Sequence, residues 1–176
     1  IGDTTWQVAP STIVYSKNRL KVNGFSISHD NQMLAIDGTA TKNLEDSLLV
    51  TLNDIDVSYV LNLVNFHSVD FFGMASGEAR VAGAFSGKPL ITADLQVKEF
   101  KFEAGRMGTL FANVNYDFDE GRINIDAIAQ DEDGRHTDIN GYVSPKHSYI
   151  DLGIDAHRTR AEFMESFCGS FMSDVN

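Results

Sequence analysis

The sequence predicts an all-β, mostly antiparallel fold, on three observations. Apolar residues alternate with polar ones at period two, and turns rich in glycine and aspartate separate the alternating runs. Helical spacing is confined to two short segments. Each strand is therefore expected to have one buried face and one wetted face.

In chain order, Leu20 and Val22 alternate with lysine and asparagine. Leu48, Val50 and Leu52 continue the pattern, and Ile55 and Val57 resume it after one extra residue. That slip predicts a β-bulge near Asn53–Asp54. Ile91, Ala93, Leu95 and Val97 form the next run, and Phe100 and Phe102 follow another slip. Val114, Tyr116 and Phe118 lead into Glu120–Gly121, from which Ile123 and Ile125 lead out, the pattern of a hairpin. A second turn, Asp131-Glu132-Asp133-Gly134, precedes Ile139, Gly141 and Val143. Ile150, Leu152, Ile154 and Ala156 form the last clear strand. The two helical triplets are Val60, Leu61 and Val64, then Phe163, Met164 and Phe167. Their acidic or polar flanks argue against a membrane-surface helix, so they are expected to plug or edge the sheet.

The elements recur along the chain. One shift superposes Tyr15 on Phe118, Leu20 on Ile123, Val22 on Ile125 and Ile36-Asp37-Gly38 on Ile139-Asn140-Gly141. The same shift brings the first helical triplet onto the second. A slightly shorter shift places Ile55-Asp56-Val57 on Ile154-Asp155-Ala156. This predicts two repeat units in one continuous sheet: the end of one over residues 1–66 and the next over residues 67–176. Arrays are built from whole units with polar caps, so the chain is expected to be a piece of a longer one.

Composition narrows the function. The 176 residues are 43% hydrophobic and 22% charged, as in a folded protein, and the formal charge is −11. A phosphate backbone or an anionic membrane surface would be repelled, so no nucleic-acid partner is expected. The lone Cys168 allows neither an internal disulfide nor a cysteine-based zinc site. No stretch reaches the ~18 apolar residues of a membrane span. The first residues lack the basic and apolar regions of a signal peptide, so the chain is expected to be soluble, with any anchor outside it.

Chemistry is sparse. His29, His67, His136, His147 and His157 are scattered, with no pair at the spacing of a helical metal site. No nucleophile elbow or phosphate-binding glycine loop occurs. Asp117, Asp119 and Glu120 cluster before Gly121, and Asp131, Glu132 and Asp133 before Gly134; nothing downstream of Gly134 supplies an acid at calcium-loop spacing, and solvated turns are expected. No catalytic residue, cofactor or metal is expected, and the chain reads as non-enzymatic. What remains is the apolar face: Leu95, Val97, Phe100, Phe102, Val114, Tyr116, Phe118, Ile123, Ile125, Ile150, Leu152 and Ile154 fall on one side if the strands form one sheet. Alternation alone does not distinguish an open groove from the dry core of a sandwich or barrel.

Several motifs occur in a familiar order: Gly77-Glu78-Ala79-Arg80-Val81-Ala82-Gly83, the turn Gly87-Lys88-Pro89, Tyr116-Asp117-Phe118-Asp119, Ile139-Asn140-Gly141 and Phe171-Met172-Ser173-Asp174-Val175. In that order they resemble the TamB-type translocation and assembly module, in the form found in Bacteroidetes-type bacteria. The likeness covers residues 73–175 well and the first seventy loosely. The resemblance implies an elongated, curved sheet folded into a trough with a greasy interior. It implies a periplasmic location, within a parent protein anchored in the inner membrane. It further implies phospholipid movement toward the outer membrane, or assembly of outer-membrane proteins with a partner barrel. Expected partners are phospholipid acyl chains or unfolded outer-membrane protein strands. The family's membrane anchor and barrel-contacting end have no counterpart in this sequence, and it offers no catalytic residues to carry over.

Overall fold

The computed structural model describes residues 5–59, 70–103, 105–147 and 149–157. They form one elongated, curved, open sheet of eleven strands. Strands β1 (Gln7–Val8), β2 (Thr12–Ser16), β3 (Arg19–His29), β4 (Gln32–Ala40), β5 (Ser47–Asp56) and β6 (Phe71–Ala82) make its first half. Strands β7 (Leu90–Phe102), β8 (Gly105–Asp117), β9 (Arg122–Gln130), β10 (His136–Ser144) and β11 (Tyr149–His157) make the second. From β3 onward each strand pairs antiparallel with the next in sequence; β1 and β2 both pair with β3. The only helical structure described is residues 57–59 and a 3-10 turn at Pro145–His147. The two expected helical triplets lie outside the described residues, as do His67 and Cys168.

The slips in alternation are bulges. The pairing shifts between Leu52 and Ile55 and again between Val97 and Phe100. A third shift, between Val22 and Phe25, was not read from the sequence. In each, one extra residue is absorbed by a position at positive φ: Gly24, Asp54 or Glu99. The cost of the left-handed backbone is offset where the opposite strand accepts or donates locally. Gly24 N donates to Asp37 Oδ1 at 2.9 Å, and Asp54 N to Ser76 Oγ at 2.9 Å. Because each bulge adds a single residue, Phe25, Ile55 and Phe100 return to the face occupied before the slip.

Both turns read from the sequence close hairpins. Asp117 Oδ1 accepts from Glu120 N at the β8–β9 turn. Asp131 Oδ1 accepts from Asp133 N and Arg135 N, each at 3.0 Å, at the β9–β10 turn. These carboxylates hold their own turns; Asp117 pairs with Arg122, and Asp131 and Asp133 pair with Arg135.

The register also bears on the repetition. Gly38 lies between Val22 and Leu48, and Gly141 lies between Ile125 and Leu152. Both glycines sit in mid-strand at positive φ (118° and 147°), where a Cβ would meet a backbone oxygen of the next strand at 2.3 and 2.0 Å. The strand positions of Ile36-Asp37-Gly38 and Ile139-Asn140-Gly141 are thus equivalent. The shorter shift is corrected, however. Ile36 faces Val50 and Ile139 faces Ile154, so Ile154 corresponds to Val50 and not to Ile55. Ladder register, fixed by the glycine pair, overrides the similarity of short Ile-Asp-aliphatic strings.

Candidate functional site: an apolar inner face

Cross-strand partners in an antiparallel ladder point to the same side of the sheet. Following them strand by strand yields four rows that cross the molecule. One runs Leu52, Gly77, Leu95, Ala112, Ala127, Ile139 and Ile154. Its neighbour runs Val50, Ala79, Ala93, Val114, Ile125, Gly141 and Leu152. Beyond that come Leu48, Val81, Ile91, Tyr116, Ile123, Val143 and Ile150. On the other side of the first row are Ile55, Ala75, Val97, Leu110, Ala129, Thr137 and Ala156. Thr137 and Tyr116 carry the only polar groups in the four rows, a hydroxyl each, and none carries a charge.

The opposite face is built on the same ladder with other residue types. Thr51, Glu78, Asp94, Asn113, Asp126 and Asn140 form one such row. Lys98 reaches Asp54 at 3.5 Å, and Asn124 donates to Asn115 at 3.0 Å on this outer side. Curvature places the apolar face inside and leaves the charged face to water.

Burial on the inner face is uneven. A buried cluster of Ala75, Val97, Phe100, Met107, Leu110, Ala112, Ala127, Ala129 and Ile139 gathers at one end of strands β6–β10. Residues 57–59 and the end of β11 lie at this same end, and Val57 packs on the cluster. Phe71 closes the row, its ring 6.1 Å from Phe100 and 5.4 Å from Phe102. Toward the other end, Ile91, Val114, Tyr116, Ile123, Ile125, Ile150 and Leu152 remain half-buried. Among the described residues no second layer of strands covers them.

The sequence-predicted groove residues divide accordingly. Val97 and Phe100 belong to the buried cluster, while Phe102, Val114, Ile125, Leu152 and Ile154 pack against it, half-buried. Leu95, Tyr116, Ile123 and Ile150 are half-buried on the same face. Phe118 lies in the β8–β9 turn, exposed, with its ring edge-on to Tyr116 at 6.2 Å. The sequence reading missed Leu34 and the alanine-rich positions of β6, β8 and β9, which complete the rows.

It also missed a polar cluster on the outer face. His136, Asp138 and His157 bring their ligand atoms within 4.8 Å of one another. Their separation along the chain concealed what the β10–β11 register assembles. The other described histidines have local partners: His29 contacts Asp30 and the Thr5 carbonyl, and His147 contacts Ser144.

No family model, curated protein or solved structure matches the chain.

Proposed function

We propose that this chain is a non-enzymatic segment whose apolar inner face accommodates lipid acyl chains, serving phospholipid transport between the two membranes of a Gram-negative envelope. The supporting observation is the set of four uncharged rows crossing the curved sheet, half-buried along one end. Burying acyl chains contributes roughly 0.8 kcal/mol per methylene, so such a face needs no headgroup pocket. The polar outer face and the charge of −11 keep a sheet with a greasy interior in solution. The resemblance to TamB-type proteins gives the reading its setting: the periplasm, a parent anchored in the inner membrane, and a partner barrel in the outer membrane.

A second reading is favoured by the sheet edge. Among the described residues β11 has a neighbour on one side only, and its nine residues contain neither proline nor a bulge. Such an edge suits pairing with an incoming extended strand, as in a platform for outer-membrane protein strands.

Lipid crosslinking to a photoreactive residue at position 95 tests the first reading. Ile125→Asp and Leu152→Asp should abolish crosslinking while circular dichroism shows the sheet intact; Lys98→Asp and Asn124→Asp on the outer face should leave it unchanged. Capture of lipid that is indifferent to the inward aspartates would sink the proposal. If every inward aspartate unfolds the chain, the inner face is a dry structural core.

A further inference from the structure

We propose that His136, Asp138 and His157, with Asp155 beside them, form a binding site for a divalent transition-metal ion of the zinc class on the outer face. The proposal is independent of the lipid reading. It rests on strand register. His136 and His157 are direct partners across β10 and β11, and Asp138 and Asp155 are the direct partners two residues along. All four side chains therefore project from one face as a two-by-two patch.

The spacing suits coordination. The imidazole rings lie 4.7 Å apart at 29°, and Asp138 Oδ2 is 3.4 Å from His157 Nε2. Asp155 Oδ2 is 3.7 Å from the same nitrogen. Ligands about 2.0–2.2 Å from a tetrahedral zinc lie roughly 3.4 Å from one another. Modest side-chain rotation closes the remaining gap, which these exposed or half-buried groups permit. Two imidazoles and one or two carboxylates match zinc-class ions, whereas calcium and magnesium prefer oxygen alone.

Electrostatics supports a cation here. Carboxylates placed directly opposite on adjacent strands repel each other. Among the described residues no lysine or arginine is paired with Asp138 or Asp155, and the neighbour of Asp138 on β9 is Ile128. The acidic turn at Asp131 differs, because Arg135 already neutralises it. A metal ion between the strands would neutralise the patch and clamp β11 to β10 at the end of the described ladder, whose last pair is His136 and His157.

Isothermal titration of the 176-residue chain with Zn²⁺ tests the site. We expect one saturable event that is lost in the His136→Ala/His157→Ala double variant. Asp138→Asn should weaken it by about tenfold or more, since loss of a ligand costs at least as much as loss of the outer partners that orient ligands. Asp155→Asn should do less, and His29→Ala should leave it unchanged. Excess Ca²⁺ should not compete. The wild-type chain should also give the visible spectrum of tetrahedral Co²⁺, a readout that requires no variant to fold. Absence of saturable Zn²⁺ binding, or binding that survives the double variant, overturns the proposal.

Discussion

Ala129 and Ile123 stand on the same strand and the same face of the sheet, yet Ala129 is 1% exposed and Ile123 is half-buried. The contrast extends across β6–β11. At one end, small side chains such as Ala75, Ala112, Ala127 and Ala129 are packed among Val97, Leu110 and Ile139. At the other, larger side chains stay accessible. Side-chain size does not set the difference: the bulky Phe100, Met107 and Leu110 are buried at the closed end, whereas Ala79 and Ala93 stay half-buried elsewhere on the face. The closed end is where Val57, Phe71 and Phe102 pack against the cluster, so position under such cover, and not hydrophobicity alone, decides which part of an apolar face is core and which is surface. Val143 is the buried residue of the open end.

The largest test of this contrast is Ala129→Asp. An unpaired carboxylate in the closed end should cost more than about 4 kcal/mol and abolish the cooperative unfolding transition in urea. Retention of a folded sheet would show that the closed end is wet. Gly141→Ala comes next, at about 3 kcal/mol, because its Cβ would meet the Asp151 oxygen in a backbone region closed to alanine. Ile139→Ala, in the buried cluster, should cost about 2–4 kcal/mol by the same measurement. Ile123→Ala at the open end should cost about 1 kcal/mol; equal losses at 139 and 123 would erase the distinction. Lys98→Ala, on the outer face, should stay within about 0.5 kcal/mol, since its pairing with Asp54 is exposed to solvent.

Much of the fold was legible because a half-buried strand writes its period directly into the sequence. Two of the bulges were visible as slips, and both acidic hairpin turns were visible as clusters ending in glycine. Strand β6 left a fainter trace, because its inward residues are Ala75, Gly77, Ala79 and Val81, whose contrast with their polar neighbours is weak. Strands β1 and β2 were missed because their residues are exposed and Pro10 interrupts them. The apolar face was legible as a list of residues, but its division into closed and open ends was not. That division depends on which residues meet across the curve. The histidine patch was hidden for a related reason: its members converge only through pairing register, which neither composition nor local spacing encodes.

The meander has a kinetic corollary. From β3 to β11 every strand is hydrogen-bonded to its neighbours in sequence, and the longest excursion between partners is residues 57–70. No pairing among these strands has to wait for a distant part of the chain, so the entropy lost in closing each loop stays small. Sheets usually fold slowly because their contacts are remote in sequence. This one can zip hairpin by hairpin as the polypeptide is synthesised, each new strand templated by the one just formed.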